Sequence, residues 1–125
     1  MVIRKLLVVD DDPGIRRLMQ TMLERVGYDV VCAASAEEAA PLMAEIPFDL
    51  VITDVLMPGR DGILFIADIR RRYLAVRIIA ASGGGIVGPD AYLQTASSIG
   101  ADAVLTKPFS LLQLQRAIDR AARED

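Results

Sequence analysis

The chain contains no histidine and no tryptophan, and its only cysteine is Cys32. Without histidine, Ser-His-Asp and Cys-His catalysis, His-ligated metals and phosphohistidine chemistry within this chain are excluded. One cysteine leaves no internal disulfide and no thiolate metal cluster. In its setting, Val30-Val31-Cys32-Ala33, it reads as inert core. Positive charge is also not in excess: 14 Lys and Arg face 17 Asp and Glu, for a net charge of −3. That balance lacks the electrostatic footprint of a nucleic-acid binder. A short basic cluster, Arg70-Arg71-Arg72, falls at a predicted helix end, where cations suit the helix dipole. No apolar run approaches the roughly 20 residues of a membrane span, and no charged-then-apolar leader is visible. The cytoplasm is the expected location, with neither nucleic acid nor membrane among the partners.

What is present is an ordinary globular composition, 53% hydrophobic and 25% charged over 125 residues. This is enough for one domain, residues 1–125, with a real core. The organising stretch is Leu50-Val51-Ile52-Thr53-Asp54. An uncharged run rich in β-branched residues predicts a strand buried on both faces. Pro58-Gly59 then forces a turn, so Asp54 falls where a central strand ends.

The same grammar repeats along the chain. Leu6 to Val9 form a strand that runs into Asp10-Asp11-Asp12-Pro13. Asp12 suits the N-cap and Pro13 the first helical position, which leaves Asp10 and Asp11 without a local role. The helix that follows carries Ile15, Leu18, Met19, Met22, Leu23 and Val26 on one stripe and ends at Gly27. Asp29 to Ala33 form the second strand. Ser35 and Glu38 predict a capping box for a helix closed by Pro47. A third helix spans about Ile63 to Tyr73, and a fourth strand Arg77 to Ser82. A glycine-rich loop, Gly83 to Gly88, precedes a short helix over roughly 90–99. Ala103 to Thr106 form a fifth strand, then comes Lys107-Pro108-Phe109, and Ser110 caps a last helix bearing Leu111, Leu114, Ile118 and Ala121. Five alternations of strand and helix predict a parallel sheet with helices on both faces and right-handed crossovers.

In such a sheet the carboxyl ends of all strands share one rim, where ligands bind. Asp10, Asp11, Asp54, Ser82 and Lys107 therefore converge. Carboxylates at close quarters repel, by about 4 kcal/mol for a pair at ~4 Å and an effective dielectric near 20. The set suits a hard divalent cation bound through oxygen, with Mg2+ favoured. An ion, a lysine and a hydroxyl are what a transferring phosphoryl group needs around its oxygens, and a carboxylate can be the attacking nucleophile.

The sequence resembles the receiver domain of bacterial two-component response regulators along its whole length. Val8-Val9-Asp10-Asp11, Asp54 with Met57-Pro58 and Asp61-Gly62, Ser82, and Lys107-Pro108-Phe109 match that family in order and spacing. The resemblance implies a flavodoxin-like, doubly wound five-stranded sheet of order 2-1-3-4-5. It also implies a phosphorylation-controlled signalling protein of the stand-alone kind, not a turnover enzyme. By the same resemblance Asp54 is the phosphoacceptor and Asp11 a direct Mg2+ ligand. Asp10 is then the holder of metal-bound water, and Leu56 a ligand through its backbone carbonyl. Lys107 corresponds to the lysine that pairs with the phosphoryl group, next to a cis bond to Pro108, and Ser82 to the hydroxyl that bonds a phosphoryl oxygen. The donor implied is a phosphohistidine on a sensor histidine kinase or histidine phosphotransfer protein, docking on the first helix, where Leu18 and Leu23 edge the stripe, and on the loop at Lys107-Pro108. A downstream protein target is implied as well.

There is one departure. Val104 stands where the family often has Tyr or Phe, so the expected readout moves to the loop from Gly83 to Gly88. Three rivals are weaker. A haloacid-dehalogenase-like phosphatase needs a second aspartate where Leu56 stands. A flavodoxin-type nucleotide binder would not place three acids after its first strand. A degenerate receiver acting by protein contacts alone has no use for a complete acidic set.

Overall fold

The computed structural model describes residues 1–55, 62–83, 94, 96–97 and 99–123. Its elements in chain order are β1 (Lys5–Val9), α1 (Pro13–Arg25), β2 (Asp29–Ala33), α2 (Ala36–Glu45), β3 (Leu50–Asp54), α3 (Gly62–Arg72), β4 (Arg77–Ser82), β5 (Ala103–Thr106) and α4 (Leu111–Ala122). The strands pair in parallel in the order β2-β1-β3-β4-β5, as expected. Leu7 lies opposite Val31 on one side and Val51 on the other. Asp54 lies opposite Ala81, and Ser82 opposite Thr106. Most of the helix expected over roughly 90–99 lies outside the described residues, though Gln94, Ala96 and Ser97 are helical; most of the glycine loop and the Met57-Pro58-Gly59 turn also lie outside them.

Side chains alternate across the sheet and build two cores. Leu6, Val8, Leu50, Ile52, Ile79, Ala81 and Leu105 pack with Met19 and Leu23 of α1 and Leu114, Ala117 and Ile118 of α4. Leu7, Val9, Val51, Ile78 and Ala80 pack on the opposite face with Ala39 and Met43 of α2 and Phe65, Ile66 and Ile69 of α3. All five residues of β3 are buried, which is why its sequence shows no polar alternation.

The helix starts follow their caps. Asp12 accepts from Gly14 and Ile15 N–H with Pro13 at the first position, and Ser110 forms a complete capping box with Gln113. At α2 the Ser35 hydroxyl takes the Glu38 N–H, but Glu38 reaches one residue further back and accepts from Ala34 N–H at 2.9 Å. The expected box is thus displaced by one residue.

The wide stripe of α1 needs a larger correction. Leu23 is fully buried, whereas Leu18 and Val26 are exposed. At 100° per residue Leu18 lies off the arc centred on Met19 and Leu23. Val26 is already past the helix, and Gly27, with φ of +103°, turns the chain away. Cys32 is half-buried rather than core, with its thiol against Gln20 Oε1 and the Arg16 carbonyl. Burial, opposed by the Arg16 charge and reinforced by Glu24, pushes its pKa up. The thiol stays neutral and inert.

The amino-end rim of the sheet is closed by Arg70. Its guanidinium donates to the carbonyls of Gly100 (2.9 Å), Leu74 (3.1 Å) and Val76 (2.9 Å) and to Asp102 Oδ2 at 2.8 Å. Asp102 in turn accepts from Ile78 N–H at 2.8 Å. Arg70 is therefore a specific tie between α3 and the lead into β5 as well as a helix-end cation. We expect Arg70→Ala to lower stability by about 2–3 kcal/mol, since it orphans several half-buried acceptors. Arg70→Lys should restore less than half, because an ammonium cannot reproduce the fork; urea denaturation measures both.

Candidate functional site

The rim at the carboxyl ends of the strands carries the chemistry. Asp10 follows β1 directly and Asp54 is the last residue of β3; both are buried, while Asp11 is exposed. Oxygens of the three carboxylates lie within 4.8 Å of one another. Lys107, just past β5, donates from Nζ to Asp10 Oδ2 at 2.6 Å and to Asp54 Oδ2 at 3.0 Å. The ammonium thus ties the ends of β1 and β3 to the end of β5.

Burial alone would push the Lys107 pKa down, but hydrogen bonds and charge from Asp10 and Asp54 outweigh it, and the net direction is upward. A raised lysine contributes stability fully below the unfolded value near 10.4 and loses it as pH rises through the higher folded value. Across the neutral range Lys107 is therefore a fixed cation. Three carboxylates and one ammonium leave the pocket at net −2, the charge that one divalent cation balances.

The donor set fits Mg2+. All the side-chain donors are hard carboxylate oxygens, and their span is close to the ~4.2 Å between opposite oxygens of an octahedral Mg2+ site. Exposed Asp11 leaves the mouth open for entry. Leu56, the expected carbonyl ligand, lies outside the described residues.

Ser82 ends β4, fully buried, and among the described residues its Oγ has no hydrogen-bond partner. A buried hydroxyl left unsatisfied costs on the order of 1–3 kcal/mol, a cost that an acceptor placed beside it would relieve. Its carbonyl accepts from Lys107 N–H at 3.0 Å, which fixes the start of the lysine loop against β4. The next residue, Gly83, lies against the lysine stem: a Cβ there would come within 3.0 Å of Lys107 Cβ and 3.3 Å of Cδ. The Lys107-Pro108 peptide is cis, as the sequence resemblance implied. Val104 is half-buried and packs on the α2–α3 face.

Some contributors are not legible from sequence. Asp10 does act locally, since its Oδ1 accepts from Asp12 N–H at 3.0 Å. Thr53, fully buried, donates from Oγ1 to the Asp54 carbonyl at 3.1 Å. Gly62 brings α3 against the end of β3, where a Cβ would meet Val55 Cα at 2.6 Å; no L side chain fits there. Arg16 of α1 reaches back to the Asp10 carbonyl.

This geometry belongs to a recognisable family. Residues 6–119 match the response regulator receiver domain. The chain is a member of that family. The receiver is similar over 96% of its length, at 30% identity and a TM-score of 0.84, to the chemotaxis response regulator CheY4 of Vibrio cholerae, 99% of which is matched. It is 31% identical to the response regulator TrrA of Thermotoga maritima, solved in complex with Mg2+-BeF, with 95% of this chain and 99% of that one aligned and a TM-score of 0.84. NtrX of Brucella abortus matches 96% of this chain at 26% identity and a TM-score of 0.87, yet only 27% of that longer protein is involved. The same receiver fold therefore occurs alone and inside larger chains.

As a receiver the protein is a regulatory phosphoacceptor in phosphorylation-controlled signalling, binds Mg2+ at its acidic pocket, and interacts with a histidine kinase or phosphotransfer donor and a downstream target. Among the described residues no helix is long and apolar enough to cross a membrane.

Lys107 and the ion offset the same negative charge, which yields a testable outcome. In chelator, Lys107→Met takes a hydrogen-bonded ammonium away from two buried carboxylates and lowers stability by about 3 kcal/mol. Saturating Mg2+ then raises the melting temperature of the variant by more than it raises that of the wild type. An equal or smaller increment, read by differential scanning calorimetry, contradicts a shared site.

Proposed function

We propose that Asp54 is the phosphoacceptor of a single receiver spanning residues 1–125 and working in the cytoplasm. Asp11 and Asp54 hold Mg2+ directly and Asp10 holds it through water, the Leu56 carbonyl completes the protein ligands, and Lys107 and Ser82 bind phosphoryl oxygens. The observation that carries this reading is the Lys107 ammonium, 3.0 Å from Asp54 and 2.6 Å from Asp10. It marks where negative charge gathers, at the adjoining ends of β1 and β3. An Asp54 oxygen forms the new O–P bond as the N–P bond of the donor phosphohistidine breaks; the imidazole keeps that electron pair and gains a proton. Mg2+ supplies charge neutralisation for the phosphoryl oxygens. Lys107 pairs with one of those oxygens, and the Ser82 hydroxyl donates to another, which relieves its isolation. Water attack at phosphorus later restores the carboxylate, so the domain also catalyses its own dephosphorylation. The complete acidic set gives a phosphorylation-independent receiver no support.

With acetyl phosphate and Mg2+, intact-mass spectrometry should show a gain of one phosphate. Asp54→Ala or excess chelator should abolish it; equal labelling of that variant overturns the assignment.

The donor domain docks, in this reading, on α1 and the Lys107-Pro108 loop. Leu18, 53% exposed, is the apolar anchor there, while buried Leu23 takes no part. We expect Leu18→Ala to stay folded yet to accept phosphate about tenfold more slowly from the phosphohistidine of its cognate kinase, with acetyl phosphate labelling unchanged. A buried interface leucine carries on the order of 1–2 kcal/mol.

A further inference from the structure

Asp10 is held at every polar atom. Its N–H donates to the Ala33 carbonyl at 3.2 Å. Its Oδ1 accepts from Asp12 N–H at 3.0 Å, and its Oδ2 from Lys107 at 2.6 Å. Its carbonyl accepts from the Arg16 guanidinium at 2.7 Å. Asp11 is the opposite case: it is exposed, and among the described residues nothing holds its carboxylate. Yet Asp11 is the group through which the pocket opens to the ion.

The peptide between the two residues links these facts. A peptide is planar, so the direction of the Asp10 carbonyl fixes the plane that runs to Asp11 Cα. The group that grips this carbonyl thereby limits where Asp11 Cβ points. Arg16 can grip it because α1 is locked to the same loop: the Asp12 side chain caps the helix and the Asp12 carbonyl accepts from Arg16 N–H at 3.0 Å. A guanidinium bond to a carbonyl is charge-assisted and directional.

We propose that Arg16 is a positioning residue for Mg2+ binding, which holds the Asp10–Asp11 peptide so that the Asp11 carboxylate faces Asp10 and Asp54. The inference rests on Asp10 and Asp11 being the carboxylates that take the ion. It is separable from a simple charge effect because the two have opposite signs. Arg16 is a cation beside an acidic pocket, so if charge were its only influence, its removal would tighten Mg2+ binding. If it positions Asp11, its removal weakens binding despite the lost repulsion.

The test is isothermal titration of the intact protein with Mg2+, alongside the Mg2+ dependence of acetyl phosphate labelling. Arg16→Met keeps the apolar stem and loses both charge and donors. Its Mg2+ dissociation constant should rise about tenfold, the low end for loss of a group that orients a ligand. Half-saturating Mg2+ for labelling should rise in parallel, while the labelling rate at saturating Mg2+ stays within about twofold. Arg16→Lys should recover part of the affinity. Arg17→Met, the same charge change at an exposed neighbour, should leave the constant unchanged or slightly lower. Unchanged or tighter binding in Arg16→Met overturns the proposal. Asp11→Asn in the wild-type background tests the underlying reading separately: if that variant binds Mg2+ as well as the wild type, it is the assignment of the site that fails.

Discussion

The ammonium of Lys107 between Asp10 and Asp54 is the interaction on which the pocket depends. Two buried carboxylates at adjacent strand ends repel, and the Lys107 ammonium bonds both of them. Lys107 makes that arrangement stable without ion or phosphate, and it does so while leaving the pocket negative. The site is thereby held together and still receptive. Parallel order makes this possible, because β1, β3 and β5 all end on the same rim although β4 separates β5 from the other two.

The two rims of the sheet are built on contrasting principles. At the amino end, Arg70 and Asp102 use their hydrogen-bonding capacity on backbone groups and on each other. That end is closed chemically and serves to fix α3 against β5. At the carboxyl end, a buried hydroxyl is left without a partner among the described residues and an excess of negative charge is retained. The amino-end tie serves rigidity, while the carboxyl-end rim keeps negative charge and the Ser82 hydroxyl in hand, so that a small domain has a stable frame and a receptive edge.

Much of this was legible in the chain. Strands buried on both faces announce themselves as apolar runs, and an acid that ends such a run is placed by topology alone; Asp10, Asp54, Ser82 and Lys107 converge for that reason. Caps such as Asp12 and Ser110 act within one turn and are equally readable. Long side chains that act across a loop or between elements were not. Arg16 and Arg70 have many rotamers, and nothing local says which carbonyl each will find. Leu18 and Leu23 share one helical stripe, and only the docking of α1 on the sheet decides that one is core and the other surface. Glu38 bonds Ala34 rather than Ser35, a difference of one peptide that propensity cannot resolve.

Gly83 has a wider meaning than its small contact suggests. A Cβ at this position would first meet the stem of Lys107, at 3.0 Å, and the ammonium lies at the far end of that stem. An added methyl would have to be absorbed by shifts of a few tenths of an ångström, and larger groups would act as a longer wedge. Steric bulk at position 83 is thus converted into displacement of charge relative to Asp54, with every charged residue unchanged. Sequence drift at 83 and at 107 is consequently epistatic: the set of side chains tolerated at the first depends on the length and charge carried at the second. The charge set against Asp54 can be graded through an uncharged neighbour, a mode of tuning that leaves the acidic pocket itself intact.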